Sequence, residues 1–155
     1  MKTSIIIPTL NEARYLSETL AQIQQLSPHE IIISDGGSND NTLKIASKFT
    51  QNLIKGPAGR ALQMNAGAQV ATGDLLLFLH ADSCIERASY QKMLAAMKKP
   101  EVLGGAFSLL IDSDRWALQI INQFANLRSR YLGRAYGDQA FFVKKHVFQE
   151  MRGFT

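Results

Sequence analysis

The stretch Gly73-Asp-Leu-Leu-Leu-Phe-Leu-His-Ala-Asp82 decides the fold. Its apolar run, from Leu75 to Leu79, lies between a glycine and a polar cluster that ends in Asp82. A continuous apolar run of this length predicts a strand that is buried on both faces, as in the middle of a parallel sheet. Because ligands of open α/β sheets bind beyond the carboxyl ends of the strands, Asp82 is a candidate site residue.

The chain before and after this strand alternates apolar runs with helical patterns. Strands are predicted at 4–7, 31–33, 52–54 and 75–79, and helices follow each of them; Asn11 is the predicted N-cap of the first helix. This alternation indicates an α/β fold with a Rossmann-like, mostly parallel central sheet flanked by helices. Beyond Pro100 the pattern predicts a strand at 104–111, a helix at 115–132, a strand at 140–143 and a helix from Lys145.

The composition predicts one globular domain over residues 1–155, with 46% hydrophobic and 19% charged residues. The single cysteine, Cys84, and the lack of a signal peptide or membrane span lead us to expect a cytoplasmic protein. The net charge of +4 is either ordinary solubility or a sign of an anionic partner, such as a diphosphate or an acidic lipid surface. Arg128, Arg130 and Arg134 are either a solvated helix end or a contact with an acceptor phosphate or with the inner face of a membrane.

Polar clusters follow the first, second and fourth predicted strands: Thr9 with Asn11 and Glu12, residues 35–38, and residues 80–82. Right-handed crossovers place the carboxyl ends of parallel strands at one edge of the sheet. We therefore expect these clusters, which are far apart in sequence, to meet in one site.

Each cluster has a functional and a structural interpretation. Asp35, Gly36 and Gly37 could let a ligand approach the backbone, or could form a plain turn. Asp82 could bind a divalent cation or cap the next helix. Arg60 could hold a phosphate or be solvated, Asn65 could contact the donor or be a surface amide, and His80 could be a ligand or a hydrogen-bonded structural residue.

Taken together, the motifs resemble the family 2 glycosyltransferases of the GT-A fold. Ile5-Ile-Ile-Pro-Thr-Leu-Asn-Glu12 is similar to the family's opening strand and loop, and Ile33-Ser-Asp-Gly-Gly-Ser-Asn-Asp40 to its second-strand motif. Met64-Asn-Ala-Gly67 and Leu77-Phe-Leu-His-Ala-Asp82 follow in the family's order, up to its Asp-x-Asp motif. The resemblance covers residues 4–82 well and the remainder less sharply.

The resemblance implies a nucleotide-diphosphate sugar, commonly a UDP-sugar, and a divalent metal, Mn²⁺ or Mg²⁺. Asp82 corresponds to the second Asp of the Asp-x-Asp motif and would bind the metal. The residues expected to bind the nucleotide sugar are Pro8, Thr9, Asn11, Glu12, Asp35, Gly36, Gly37, Arg60, Asn65 and His80. Residues 1–100 would then form the nucleotide-sugar half and 101–155 a partial acceptor half.

The sequence departs from the family pattern in two places. His80 stands where the first Asp of the motif usually stands. Arg152-Gly153-Phe154 resembles a Gly-Gly-Phe segment, but the Glu-Asp pair that usually follows it is absent, so we expect a C-terminally truncated member. Asp138 is either a substitute base or a turn residue.

We therefore predict an inverting, metal-assisted glycosyltransferase, in which Arg60 and the metal stabilise the departing diphosphate. The alternative is a non-catalytic nucleotide-sugar-binding module without the general base. The acceptor, possibly of lipid or polysaccharide class, is not specified by the sequence. We expect no nucleic-acid partner and allow for a homo-oligomer.

Overall fold

The computed structural model describes residues 1–107 and 140–155. Its strands are β1 (Thr3–Thr9), β2 (Glu30–Asp35), β3 (Leu53–Lys55), β4 (Leu75–Phe78), β5 (Gly104–Ala106) and β6 (Phe141–Lys144). Its helices are α1 (Leu16–Gln25), α2 (Thr42–Ala46), α3 (Arg60–Val70), α4 (Arg87–Met97) and α5 (Lys145–Glu150). None of these helices is long and apolar enough to cross a membrane.

The strands form one six-stranded sheet in the order β3-β2-β1-β4-β6-β5. Strands β1 to β4 pair in parallel, whereas β6 runs antiparallel to both β4 and β5. The prediction of a mostly parallel sheet flanked by helices is thus confirmed. The carboxyl ends of β1, β2 and β4 lie side by side at one edge of the sheet.

The two central strands are buried on both faces, as the apolar run predicted. Ile5 and Ile7 of β1 pack on one side of the sheet with α1 and α4, whereas Ile6 packs on the other side with α3 and α5. All four residues of β4 are buried. This alternation follows from the strand period of two, and it fixes which helices cover each face.

One predicted helix start was wrong. Asn11 does not cap α1, which begins at Leu16; Asn11 instead adopts a positive φ of 58° and lies in the loop after β1. Of the two interpretations of Asp82, the helix cap is excluded, because α4 begins at Arg87 with Glu86 as its N-cap. The short α2 starts at Thr42, after Asn41, and Asp40 accepts a hydrogen bond from the Thr42 amide. Tertiary contacts of Asn11, described below, hold it in the loop after β1.

The predicted strand at 104–111 is observed only at its start, as β5, which ends at Ala106; residues 108–139 lie outside the described part of the chain. The predicted helix at 115–132, the three arginines Arg128, Arg130 and Arg134, and the candidate base Asp138 therefore fall outside the described residues.

Candidate functional site

The loops after β1 and β2 are joined by hydrogen bonds at the carboxyl edge of the sheet. The Thr9 hydroxyl donates to Asp35 Oδ1 (3.0 Å), the Asn11 amide donates to Ser38 Oγ (2.8 Å), and the Asn39 amide donates back to Asn11 Oδ1 (2.9 Å). The first two polar clusters are thus brought together.

A second set of hydrogen bonds joins the β1 loop to residues at the start of α2. The Glu12 amide donates to the Thr42 hydroxyl (2.8 Å), and the Ala13 amide donates to Asp40 Oδ2 (3.1 Å). Each loop thus supplies acceptors for the backbone of the other. The backbone of Asn11 is left-handed, and its side chain lies against the β2 loop, where it accepts the hydrogen bond from Asn39.

Asp35 is fully buried and organises the glycine loop. Its Oδ2 accepts from the amides of Gly37 (3.0 Å) and Ser38 (2.8 Å), while Oδ1 accepts from the hydroxyls of Thr9 and Ser38. Burial by itself would raise the pKa of Asp35, but the hydrogen bonds from Ser38, Thr9 and Gly37 outweigh it and hold the pKa below its usual value. The carboxylate therefore shapes the loop, and direct contact with a ligand stays a prediction.

The third cluster, which contains His80 and Asp82, acts electrostatically on Glu12 of the first cluster. Burial raises the pKa of Glu12, and the negative charges of Asp82 and Asp40 raise it further, whereas His80 acts in the opposite direction. Glu12 therefore lies within electrostatic reach of residues that follow β2 and β4. The predicted convergence of the three clusters is present in the structure.

A hydrogen bond from α1 holds the loop that carries His80 and Asp82. The Thr19 hydroxyl donates to the Ala81 carbonyl (2.7 Å) in a buried position. Asp82 itself is exposed at the edge of the sheet, and His80 is half-buried. The loop thus presents a carboxylate to solvent from a well-held backbone.

Arg60 is exposed and opens α3, next to a glycine loop that packs on β2. The Gly56 amide donates to the Asp35 carbonyl (3.0 Å). Gly59 has a φ of 145°, which favours glycine. The first-turn amides of α3, which lack helical acceptors, make this end favourable for an anion.

Gln63 was not predicted as a site residue, although it is buried and lies against this loop. Its amide bonds to the carbonyls of Thr9 and Ser34 and to the Gly59 amide. The signal in the sequence is a polar residue on the inward face of α3, alongside Met64, Gly67 and Ala68.

Asn65 has a different contact from the predicted one. Its Nδ2 donates to the Phe154 carbonyl (2.9 Å) and its Oδ1 accepts from the Phe154 amide (2.9 Å). Both polar ends of the side chain thus hold the turn at residues 152–154, where Gly153 has a φ of 79°. The Phe154 ring packs against those of Phe78 and Phe148. The structure gives Asn65 a role in this packing, and its contact with a donor stays a prediction.

The described residues contain no group of three His, Cys, Asp or Glu side chains that could hold a metal ion. A cation at this edge would therefore depend on Asp82 together with oxygen atoms of a ligand. Mg²⁺ is often bound in this way, through one or two carboxylates and substrate phosphates. The exposed Asp82 carboxylate, with Glu12 nearby, fits that kind of site.

The whole chain was compared with known proteins. The family model described as Glycosyl transferase family 2 matches residues 4–153. A PGL/p-HBAD biosynthesis glycosyltransferase of Mycobacterium bovis is 41% identical over 102 residues, which cover 60% of this chain and 40% of that protein.

Solved structures share the fold at low identity. The mannosyltransferase PcManGT from Pyrobaculum calidifontis, in complex with GDP-Man and Mn²⁺, has a TM-score of 0.78 and 18% identity, covering 99% of this chain and 47% of that one. TarS of S. aureus in complex with UDP-GlcNAc has a TM-score of 0.74 and 19% identity, covering 98% of this chain and 48% of that one. The expected GT-A fold is thus confirmed.

This chain spans less than half the length of each of these relatives. The match to the family model nevertheless runs through almost all of it, including the strands and loops that build the site. The chain belongs to glycosyl transferase family 2.

Proposed function

We propose that this chain forms the donor-binding part of a glycosyltransferase, which moves a sugar from a nucleotide diphosphate to an acceptor hydroxyl. The observation that carries the proposal is the meeting of polar residues from the ends of β1, β2 and β4 around Glu12. A nucleotide sugar needs such an arrangement because its nucleoside, diphosphate and sugar must be held at once.

The nucleoside would lie against the loops that follow β1 and β2. Gly37 is exposed, and a Cβ added there would meet no atom within 4 Å, so this loop leaves room for a base or a ribose. Pro8, Thr9, Asp35 and Gly36 would form the wall behind it, and His80 could donate a hydrogen bond to a ribose hydroxyl. Uridine is our first choice of nucleoside, and guanosine is the alternative.

The diphosphate would lie between Asp82 and the start of α3. A divalent cation bound by Asp82 and the phosphate oxygens would neutralise the charge on the leaving group. The Mn²⁺ in the complex of the mannosyltransferase supports this assignment. Arg60 can add a charge-assisted hydrogen bond from the other side, because it begins the helix whose amino end also favours anions.

The reaction we propose is a single displacement with inversion. The acceptor oxygen attacks the anomeric carbon while the bond from that carbon to the diphosphate oxygen breaks, and the diphosphate leaves with the electron pair. The acceptor proton passes to a base, for which Asp138 is the candidate in this sequence. Arg60 would stabilise the negative charge that develops on the leaving oxygen.

Calorimetric titration of UDP and GDP, each with and without Mn²⁺, tests donor binding. We expect Mn²⁺ to strengthen nucleotide binding in the unmodified chain and in the control Asp74→Asn, which alters an exposed carboxylate just before the opposite end of β4. The effect of Mn²⁺ should be lost in Asp82→Asn. If neither nucleotide binds under any of these conditions, the proposal is wrong.

Release of UDP from UDP-glucose or UDP-GlcNAc then separates an enzyme from a binding module. Slow release that depends on Mn²⁺ and on Arg60 would support transfer chemistry. Binding of the nucleotide without any release would favour the non-catalytic alternative.

A further inference from the structure

Gln63 makes three hydrogen bonds from a buried position in the first turn of α3. Its Nε2 donates to the Thr9 carbonyl (2.8 Å) and to the Ser34 carbonyl (2.8 Å), and its Oε1 accepts from the Gly59 amide (3.2 Å). A side-chain amide has two N–H donors, so both are used here. The residue is only 5% exposed, which makes these bonds hard for water to replace.

The three partners belong to different parts of the site. Thr9 and Ser34 lie at the carboxyl ends of the paired strands β1 and β2, on the nucleoside side. Gly59 directly precedes Arg60, on the diphosphate side. One amide therefore connects the two halves of the donor site.

Packing on Gly36 shows how closely these parts fit. A Cβ at Gly36 would lie 3.0 Å from the Ala58 Cα and 3.1 Å from the Gln63 Cδ. The glycine loop at 56–59 and the Gln63 side chain thus pack directly against the backbone at Gly36, just after β2. Apart from Gln63, the described bond between this loop and β2 is that from the Gly56 amide to the Asp35 carbonyl.

We propose that Gln63 is a positioning residue that sets the place of Gly59 and Arg60 relative to the nucleoside loops, so that the diphosphate meets Arg60 when the nucleoside is bound. This inference rests on the proposed donor site. Gln63 acts through Arg60 and touches no substrate atom itself. Without its amide, the Gly59 amide and the Ser34 carbonyl lose their side-chain partner, and the glycine loop is held to β2 mainly through Gly56.

Amide hydrogen exchange measured by NMR tests the anchoring in the free protein. In Gln63→Met, we expect the Gly59 amide to exchange about tenfold faster, while the Leu77 amide in the core keeps its protection. The matched control is Gln69→Met, because Gln69 is exposed on the same helix. If Gln63→Met does not fold, Gln63→Asn keeps the amide on a side chain one methylene shorter. Unchanged Gly59 exchange would overturn the anchoring.

A double-mutant cycle on nucleotide binding tests the positioning. Arg60→Ala should weaken UDP binding about tenfold in the unmodified chain, as expected for a hydrogen bond to a charged group, and less than about threefold in the Gln63→Met background. Binding of UMP, which lacks the second phosphate, should change much less in Gln63→Met than binding of UDP. A purely structural role would weaken both ligands equally and give additive losses, and that result would overturn the proposal.

The two measurements distinguish failure of the proposed donor site from failure of the positioning role of Gln63. If the unmodified chain binds neither UDP nor GDP, the proposed donor site is wrong and the positioning role is overturned with it, whereas the exchange of Gly59 still shows whether Gln63 anchors the loop. If UDP binds and the cycle is additive, only the positioning role is overturned.

Discussion

Asp35 shows how one buried carboxylate can hold a loop in place. Because its folded-state pKa is lowered, its hydrogen bonds stabilise the fold above the unfolded pKa of about 4, and this contribution is lost as the pH falls through the folded pKa. Asp35→Asn should therefore cost about 2–3 kcal/mol of unfolding free energy at pH 7 and clearly less near pH 3. Urea unfolding at both pH values measures the difference.

The control for that experiment is Glu18→Gln, which alters an exposed carboxylate on α1 and should change little at either pH. A loss in Asp35→Asn that has the same size at pH 7 and near pH 3 would contradict the role given to the ionised carboxylate.

The pKa of Glu12 is shifted in the opposite direction to that of Asp35. Its folded-state pKa is raised by burial and by the charges of Asp82 and Asp40, so the protonated form is favoured on folding. That contribution is fully present below the unfolded pKa and is lost as the pH rises through the folded pKa. Glu12→Gln should thus raise the melting temperature by about 1–3 °C at pH 7.5 and leave it nearly unchanged at pH 4. Calorimetric scans without metal measure this shift, and a lower melting temperature at pH 7.5 would contradict it.

The positions of single residues at the sheet edge were predictable from the sequence where the residue follows a strand. Asp35, Glu12 and Asp82 all follow apolar runs, and parallel pairing then brings them to one edge. Gln63 was missed because its three partners lie in β1, β2 and the α3 loop, and no local pattern shows that they meet. The contact between Asn65 and Phe154 was not predicted, for the same reason.

At the scale of elements, α3 is the helix that ties the site together. Its first turn carries Arg60 and Gln63, and its middle turn packs on β1 at Gly67, where an added Cβ would collide with the Ile6 side chain. The helix can approach the sheet this closely only because residue 67 has no side chain. Small shifts of α3 would therefore move both Arg60 and the glycine loop.

Gly67→Ala tests this close approach. Alanine favours a helix by about 1 kcal/mol over glycine, yet we expect a net loss of about 1–3 kcal/mol from overpacking. Urea unfolding measures the loss, and Gln69→Ala is the control on the exposed face of the helix. The loss should be smaller in an Ile6→Ala background, because that change removes the colliding atoms. A stabilised Gly67→Ala variant would contradict the packing described for α3.

The elements themselves were largely predictable, because β1, β2 and β4 contain continuous apolar runs with clear ends and α3 follows a glycine loop. The start of α1 was not. Asn11 is a favourable N-cap by type, but its bonds with Ser38 and Asn39 hold it in the β1 loop. Tertiary hydrogen bonds between loops outweigh local capping preference, and sequence periodicity does not contain them.

At the scale of the whole molecule, the parallel β1–β4 part carries the residues of the proposed donor site, and β5 and β6 extend the sheet in the antiparallel sense. The alternation of strands and helices was enough to predict the first part. The antiparallel pairing of β6 with β4 depends on contacts that span more than sixty residues, and the sequence pattern gave no orientation for it.

The central claim is that this edge of the sheet binds the diphosphate of a nucleotide sugar through a cation on Asp82. Anomalous diffraction from crystals grown with UDP and Mn²⁺ tests it most directly. We expect a manganese peak in contact with an Asp82 carboxylate oxygen and with phosphate oxygens of UDP, whose base lies against the loop at Gly37. A nucleotide bound elsewhere on the chain, or manganese bound away from Asp82, would show that the proposed donor site is wrong.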